Sequence, residues 1–496
     1  MKIGVIGAGI GGLAVAVRLA AAGHRVTVLE QSDAPGGKAR RVELDGYVFD
    51  AGPTLLTQPR ILADLFADTG APIDEELELM RVEPITQYRF ADGTQVEVGG
   101  DLPATLDALE SWSPGTGVDW IRFLGAAGEM WRAAEPFVNA PPPWPPRRPR
   151  PGQQLLSPVD LARARPWRTL RGLAKTHSRD PRLQWMIERF ATHAGADPRR
   201  APAALATAAY AEHAFGAWHV RGGLYSIVEA LVRRLEQLGG ELRLSTPARR
   251  VDASAGRVTA IETDEGRLAV DAVVSDADAL ALYRDLLAGP GQGSVLAAEG
   301  RNELQAERSL SAFALMLALR GRTAGVAHHT ILFPRNPDAE LNDVFVRRQP
   351  AGEPTLYLCS SCVSDPTQAP SDGENWFVLA SAPTHGEAID WDLHARAYED
   401  LVLERLAMAG LDPRDRIVAS KRFTPADLER RTGALGGAIY GAAPHGRLAT
   451  LRRPGNVSRA ANGLYLVGGT VHPGGGLAQV MLGAKIVADE VGPADL

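Results

Sequence analysis

Residues 1–30, MKIGVIGAGIGGLAVAVRLAAAGHRVTVLE, restrict the fold more than any other part of the chain. A short β-prone run, Ile3 to Ile6, leads into Gly7-x-Gly9-x-x-Gly12, and these glycines open an alanine-rich helical stretch. The helix meets a stop at Gly23, after which His24 to Leu29 reads as a second strand ending on an acid, Glu30. The result is a β-α-β unit in which each glycine has a physical task. Gly7 permits the tight turn, Gly9 lets a pyrophosphate approach the backbone, and Gly12 lets helix and strand pack closely. The unpaired N–H groups and positive dipole end of the helix then face phosphate, and Glu30 accepts hydrogen bonds from the hydroxyls of an adenosine ribose. Lys2, the apolar run to Val17 and Ala20-Ala21-Ala22 also have the outline of an export signal. Such a signal has no use for a glycine fingerprint between strand and helix, so a dinucleotide site is expected.

At 496 residues the chain exceeds what one hydrophobic core usually supports, and two domains are expected. Its 45% apolar and 23% charged residues are ordinary for a globular protein in water, and a net charge of -6 argues against a general nucleic-acid binder. Arg18 and several glycines interrupt the N-terminal apolar run, so any membrane contact is expected at the surface. Cys359 and Cys362 form a CxxC, but Pro366 and Pro370 discourage the helix that a thioredoxin-like site needs. No second ligand pair stands at regular spacing, so no metal is expected and the thiols are placed at the end of a strand, Thr355 to Leu358. They are compatible with a reducing cytoplasm.

Further along, Gln31 to Arg40 is a turn-rich loop with Gly36-Gly37 and two cations, Lys38 and Arg40, suited to a second cofactor contact. From about residue 86 the compact rhythm is lost, ending in a proline-rich stretch over 141–150 that neither a helix nor a central strand accommodates. Arg163, Arg165, Arg168, Arg171 and Lys175 then recur around Trp167, Leu170 and Leu173, the composition of a helix lying at a membrane interface and also of a solvated helical face. Gly222-Gly223 precedes an amphipathic helix running to Gly239-Gly240, short strands follow near 241–244, 257–263 and 272–275, and Val251 puts backbone where an adenine fits. The last segment, Gly463 to Gly476, again reads as strand and glycine turn before a helix from Leu477. The expected fold is α/β: a discontinuous Rossmann-like domain from 1–85, 216–300 and 436–496, with a mixed α+β substrate domain inserted as 86–215 and 301–435.

These segments resemble the bacterial phytoene desaturase-type carotenoid desaturases, a flavoprotein family related to the flavin amine oxidases. The likeness runs nearly end to end and is carried by GAGIGGLA, DAPGGKARRVELDGYVFDAGPT, GAWHVRGGLYSIVEAL, EPTLYLCSSCVSDPTQAP and, most specifically, NGLYLVGGTVHPGGGLAQVMLGAK. It implies noncovalent FAD held by Gly7, Gly9, Gly12, Glu30, Gln31, Gly37, Lys38, Arg40, Val251, Gly469, Gly476 and Leu477, with Phe49 to Thr54 bringing rigid backbone near the flavin ring. Many FAD proteins end their last strand on an acid for the ribityl chain; Gly468-Gly469 stands there instead, leaving that contact to the backbone. A helix start at Gly476 would favour the negative charge a flavin gains on reduction.

The activity the resemblance implies is insertion of C=C bonds into an apolar isoprenoid, either phytoene or a later carotenoid, including C3–C4 desaturation of a hydroxylated one. One hydrogen would leave as hydride to flavin N5, because a carbon beside a double bond is too weak an acid to lose a proton first. Polar catalytic groups are then few: His472 is a weak candidate proton acceptor, while His213, His219 and His328-His329 read as surface or satisfied core histidines. So apolar a substrate would enter from a bilayer through the segment from about Trp131 to Leu183, placing the protein at the cytoplasmic face of the inner membrane, with oxygen or a quinone as electron acceptor and no nucleic-acid partner. An amine oxidase of the same fold would need a compact polar pocket. A noncatalytic prenyl-binding protein would tolerate loss of the flavin-ring motifs, which are intact here.

Overall fold

The computed structural model describes residues 1–141, 158–287, 305–386, 388–446, 449 and 453–494. Strand β1 (Lys2–Ile6), helix α1 (Ile10–Ala21) and strand β2 (Arg25–Leu29) form the expected unit. Strands β3 (Glu241–Arg243), β4 (Ala272–Ser275) and β5 (Leu464–Leu466) complete a five-stranded sheet of order β5-β4-β1-β2-β3, and every neighbouring pair is parallel. A parallel sheet is covered on both faces, which explains why Ile3, Val5, Val28, Val273 and Val274 are all buried. On one face α1 packs against helix α2 (Leu477–Val491), with Leu13, Val17, Met481 and Ala484 in one apolar cluster. Against the other lies a three-stranded antiparallel sheet, residues 248–269, whose Val251, Val258 and Ile261 join Ile6, Leu29 and Val273.

A seven-stranded sheet is built from the strands at 417–423, 311–320, 373–382, 356–359, 329–332, 86–89 and 95–98, in that spatial order. Its one parallel pair joins 86–89 to 329–332, tying the earlier part of the chain to the later one. Helices Leu102–Trp112, Thr116–Val138, Leu170–His177, Pro181–His193 and Thr207–Phe215 cover that end of the sheet. Tyr88, Phe90, Trp120, Phe123, Met186 and Phe190 form the shared core there.

The basic segment 163–175 departs from the single interfacial helix its composition suggests. Helix Pro158–Ala164 ends before Arg165, whose φ is +47°, and a new helix starts at Leu170 behind Thr169, whose hydroxyl accepts the Gly172 N–H. Leu170 and Leu173 turn into the core, and Arg171 is held by Glu188 and Asp338, each at 2.6 Å. A hydroxyl cap and two buried leucines outweigh the continuous pattern, leaving Trp167 55% exposed on the linker. The proline-rich stretch over 142–150 lies outside the described residues. Cys359 ends the strand Leu356–Cys359, and both thiols are buried and form no disulfide. Among the described residues no helix is long and apolar enough to cross a membrane.

Candidate cofactor and active site

Parallel strands bring their C-terminal ends to one edge, and β1, β2 and β4 all end beside the start of α1. Gly7 turns there with φ +94° and donates its N–H to Leu29 O at 2.8 Å. A Cβ on Gly12 would run into the Gly7 carbonyl oxygen, so turn and helix close only on glycine. Glu30, buried at the end of β2, accepts the Ala8 N–H at 2.8 Å on one carboxylate oxygen and the Ser32 N–H at 2.9 Å on the other. Each oxygen keeps lone-pair capacity for a ribose hydroxyl. The loop around Gly37 folds back onto the turn through a 2.8 Å hydrogen bond from Gly36 N to Ala8 O.

Asp276, directly after β4, is the residue here that the sequence reading missed. Its side chain lies against the start of α1, beside Gly9, Gly11 and Gly12; burial, opposed by the backbone N–H groups of Gly12 and Gly9, pushes its carboxyl up to about 7. A Cβ on Gly9, Gly11 or Gly468 would collide with a carboxylate oxygen. The glycine cradle therefore already admits carboxyl oxygens where no Cβ would fit, and this is the observation by which the residues fit a dinucleotide: a pyrophosphate presents oxygens to the same backbone. Lys38 is half-buried nearby, its ammonium lowered by burial and facing Asp278, Asp276, Arg431 and Arg453, and it donates to Ile439 O at 2.5 Å. Arg453 donates to the carbonyls of Tyr440 and Gly469, both at 3.1 Å, while burial and then Arg40 push Arg431 down to about 10.

The remaining expected contacts separate into a rim and a floor. Gln31 donates to Arg431 O at 2.8 Å and Arg40 pairs with Asp33 at 3.5 Å, both at the rim. Val251 is buried with Ile6 and Leu29 beneath the strand ends. Gly468 lies against Gly11, Gly469 against Gly475, and Gly476 caps α2 with φ +117°, ahead of the buried Leu477. The cradle would hold the diphosphate of FAD, Glu30 its ribose, and the start of α2 would stabilise negative charge on the flavin.

Asp276 also sets a pH dependence. Its carboxyl is neutral below about 7 and charged above, where it competes for the cradle N–H groups and repels a diphosphate; Glu30 adds to that repulsion and Lys38 opposes it. FAD affinity is expected to fall by about tenfold per pH unit above 7, as for a binding step that takes up one proton. Asp276→Asn, with the same shape and no charge, should remove the slope and bind more tightly than wild type at pH 8. Titration of the apoprotein with FAD, followed by flavin fluorescence, checks this; a flat wild-type profile would show that Asp276 does not face the diphosphate.

His472 is fully buried and its Nε2 donates to Ala140 O at 2.9 Å, while its ring meets Phe137 edge-on at 4.8 Å; burial pushes it down to about 4. It ties the glycine-rich loop to the end of helix Thr116–Val138. The acid–base groups that remain open lie elsewhere. Pairing of strands 329–332 and 356–359 sets His329 opposite Cys359. Tyr357 Oη stands 2.7 Å from His329 Nδ1 and 2.6 Å from Thr54 Oγ1, and His328 Nδ1 is 2.8 Å from Ser364 Oγ. His213 accepts from Trp120 at 3.2 Å. His219, His328 and His329 are core residues but not satisfied ones: both ring nitrogens of His219 and Nε2 of His328 and His329 are buried without a partner. This corrects the expectation from sequence, and the reason is register, which spacing along the chain does not reveal. Tyr357 lines a pocket with Trp185, Phe333 and Leu379 and with the charged Glu188, Arg189 and Glu340. Thr54, His219, Cys359 and Phe377 line a smaller one.

A family model described as flavin containing amine oxidoreductase matches residues 10–492. The chain is 31% identical to the phytoene desaturase (lycopene-forming) of a Paracoccus species, over 98% of this chain and 96% of that protein. It is 33% identical to the hydroxyneurosporene desaturase of Rhodobacter capsulatus, over 96% and 94% respectively. The solved structure of cyclohexylamine oxidase from Brevibacterium oxydans shares the fold, with a TM-score of 0.62 over 99% of both chains and 17% identity.

Proposed function

The chain belongs to the flavin-containing amine oxidoreductase family and is a flavin-dependent oxidoreductase, and from that premise we propose that it is a carotenoid desaturase that binds FAD noncovalently and introduces C=C bonds into a linear, apolar polyene. The reading is carried by full-length identities of 31% and 33% to two proteins named as carotenoid desaturases, against 17% to an amine oxidase that shares only the fold. One of those relatives is named for phytoene and the other for a hydroxylated carotenoid.

FAD, when bound, supplies the hydride acceptor. The protein's part is to hold the diphosphate on the α1 cradle, to stabilise negative charge at the start of α2, and to orient an apolar chain while excluding water. Substrate delivery from a bilayer is part of the proposal. Val118, Ile121, Val159 and Trp167 are exposed on the helical region, where Arg165, Arg168 and Arg122 surround His177, a combination suited to an anionic membrane face. The electron acceptor proposed for reoxidation is oxygen or a quinone.

The test is anaerobic incubation of the FAD-loaded protein with liposomes holding either phytoene or a 1-hydroxylated carotenoid, with putrescine as the amine control. Bleaching of the visible flavin absorbance together with a product of longer polyene is the expected result, and the productive carotenoid names the step. Bleaching by the amine and by neither carotenoid would overturn the reading. Flotation of the protein with the same liposomes checks the membrane contact.

A further inference from the structure

Three histidines and a cysteine meet in the core where the seven-stranded sheet approaches the elements around α1, and their contacts leave ring nitrogens without partners. We propose that His328, His329 and Cys359 hold a zinc ion, with His219 as the fourth ligand, and that the ion ties the two parts of the molecule together. The site is independent of the desaturase reading. One ring nitrogen of His328, one of His329 and the Cys359 sulfur lie within 4.8 Å of one another, and all three residues are buried. Around zinc, with about 2.0 Å to nitrogen and 2.3 Å to sulfur, tetrahedral ligand atoms stand roughly 3.3–3.6 Å apart, so side-chain rotations that close about 1.5 Å complete the set.

Strand pairing, not spacing along the chain, assembles the group. Strand His329–Leu332 runs antiparallel to Leu356–Cys359 with His329 opposite Cys359, and the Ser360 N–H donates to His328 O at 2.9 Å, holding His328 at the same end. His219 comes from the separate strand Trp218–Val220, with its ring 5.0 Å from that of His328 between centroids. Val220 and Leu224, just beyond it, belong to the apolar cluster of α1. Two observations point to a cation. Nε2 of His328, Nε2 of His329 and both ring nitrogens of His219 are buried with no hydrogen-bond partner, where a buried polar atom is ordinarily satisfied. The other nitrogens are engaged as those of metal-bound imidazoles are: His328 Nδ1 is 2.8 Å from Ser364 Oγ and His329 Nδ1 is 2.7 Å from Tyr357 Oη. With Nε2 on the ion, each Nδ1–H donates to that hydroxyl. His219 Nε2 faces Asp365 Oδ2 at 4.0 Å, which leaves its Nδ1 for the ion.

The donor set selects the ion. A thiolate with imidazoles suits zinc, whereas magnesium and calcium take oxygen ligands. Four protein ligands in a closed core describe a structural ion, with no position left for a substrate. As the zinc–sulfur bond forms, the Cys359 thiol gives its proton to solvent and no electron is transferred. Cys359 and His219 both line the smaller pocket, which gives the ion its way in.

The experiment uses the FAD-loaded full chain. Elemental analysis should find about one zinc per chain. Stripping it with a chelator should lower the melting temperature, and added cobalt should restore it. The cobalt form should show the d–d absorption of a tetrahedral ion at longer wavelength than the flavin bands, together with thiolate-to-cobalt charge transfer. Ser364→Ala, which removes only the hydroxyl behind His328, should weaken cobalt binding by about 10–100-fold. Cys359→Ser should weaken it further and abolish the charge transfer, while Cys362→Ser should keep both metal and band. If Cys359→Ser does not fold, the wild type and Cys362→Ser decide: the chain has two cysteines, so a charge-transfer band that survives loss of Cys362 belongs to Cys359. A folded wild type that carries no metal and gives no cobalt spectrum would overturn the proposal. So would copper or iron in place of zinc, or zinc fully retained by Cys359→Ser. These readouts involve no carotenoid, so failure here leaves the desaturase reading to its own assay.

Discussion

Gly12→Val yields a protein without flavin. The side chain would be built where the Gly7 carbonyl oxygen already stands, with the Cβ of Asp276 only 3.1 Å away. Neither neighbour is the movable end of a long side chain. Gly7 O belongs to the turn that precedes α1, and Asp276 directly follows β4 and is packed against the same turn. Relief requires α1 to shift off β1, which moves the N–H groups meant for the diphosphate. Overpacking costs about 1–3 kcal/mol for each inserted group in a site that cannot relax, and at this position that cost falls on the binding geometry as well as on the fold. An affinity loss of at least about 100-fold is expected, since about 1.4 kcal/mol is a factor of ten. The measurement is flavin absorbance per protein after purification, beside circular dichroism for the fold. Gly125, inside helix Thr116–Val138 with nothing within 4 Å of a built Cβ, is the control, and Gly125→Ala should leave flavin content unchanged. Full flavin content in Gly12→Val would show that the diphosphate does not use the start of α1.

Arg189→Ala loses about 3–5 kcal/mol of stability, the usual cost of removing one partner from a buried ion pair. Arg189 is buried on helix Pro181–His193, donates to Glu212 Oε2 at 2.8 Å and to Tyr88 Oη at 2.5 Å, and stands 3.3 Å from His193 Nδ1. It joins that helix to helix Thr207–Phe215 and to the strand at 86–89. Without it, Glu212, which burial already raises above the ordinary carboxylate range, is left unpaired in the core. The loss should appear as a lower urea midpoint. Arg189→Met combined with Glu212→Leu should recover most of it, because two apolar groups of similar size leave no orphaned charge. A double variant as unstable as the single one would show that packing, rather than the unpaired carboxylate, is responsible.

Much of the dinucleotide half was legible because its signals are local. A glycine turn, an alanine-rich helix and an acid closing the second strand are constraints between residues a few positions apart, and propensity and steric limits act at that range. The same holds for Gly476 ahead of α2. Where local pattern competed with tertiary packing, packing prevailed: the basic run around Trp167 splits because Leu170 and Leu173 find a core and Thr169 offers a cap. His472 is adjacent in sequence to the glycine-rich loop, yet the carbonyl of Ala140 claims its ring nitrogen.

By itself the sequence determined the β-α-β unit, the glycine cradle, the acid at the end of β2 and the helix start at Gly476. Only the tertiary structure decided which residues meet the cradle and which histidines share a core. Asp276 reaches α1 because β4 is the neighbour of β1 in the sheet, though some 270 residues separate them in the chain. His329 reaches Tyr357 and Cys359 because two antiparallel strands pair in one register, and His219 joins them from a separate strand packed nearby. Strand order and register are set by burying apolar faces across the whole chain, a cooperative choice that no short stretch of residues encodes.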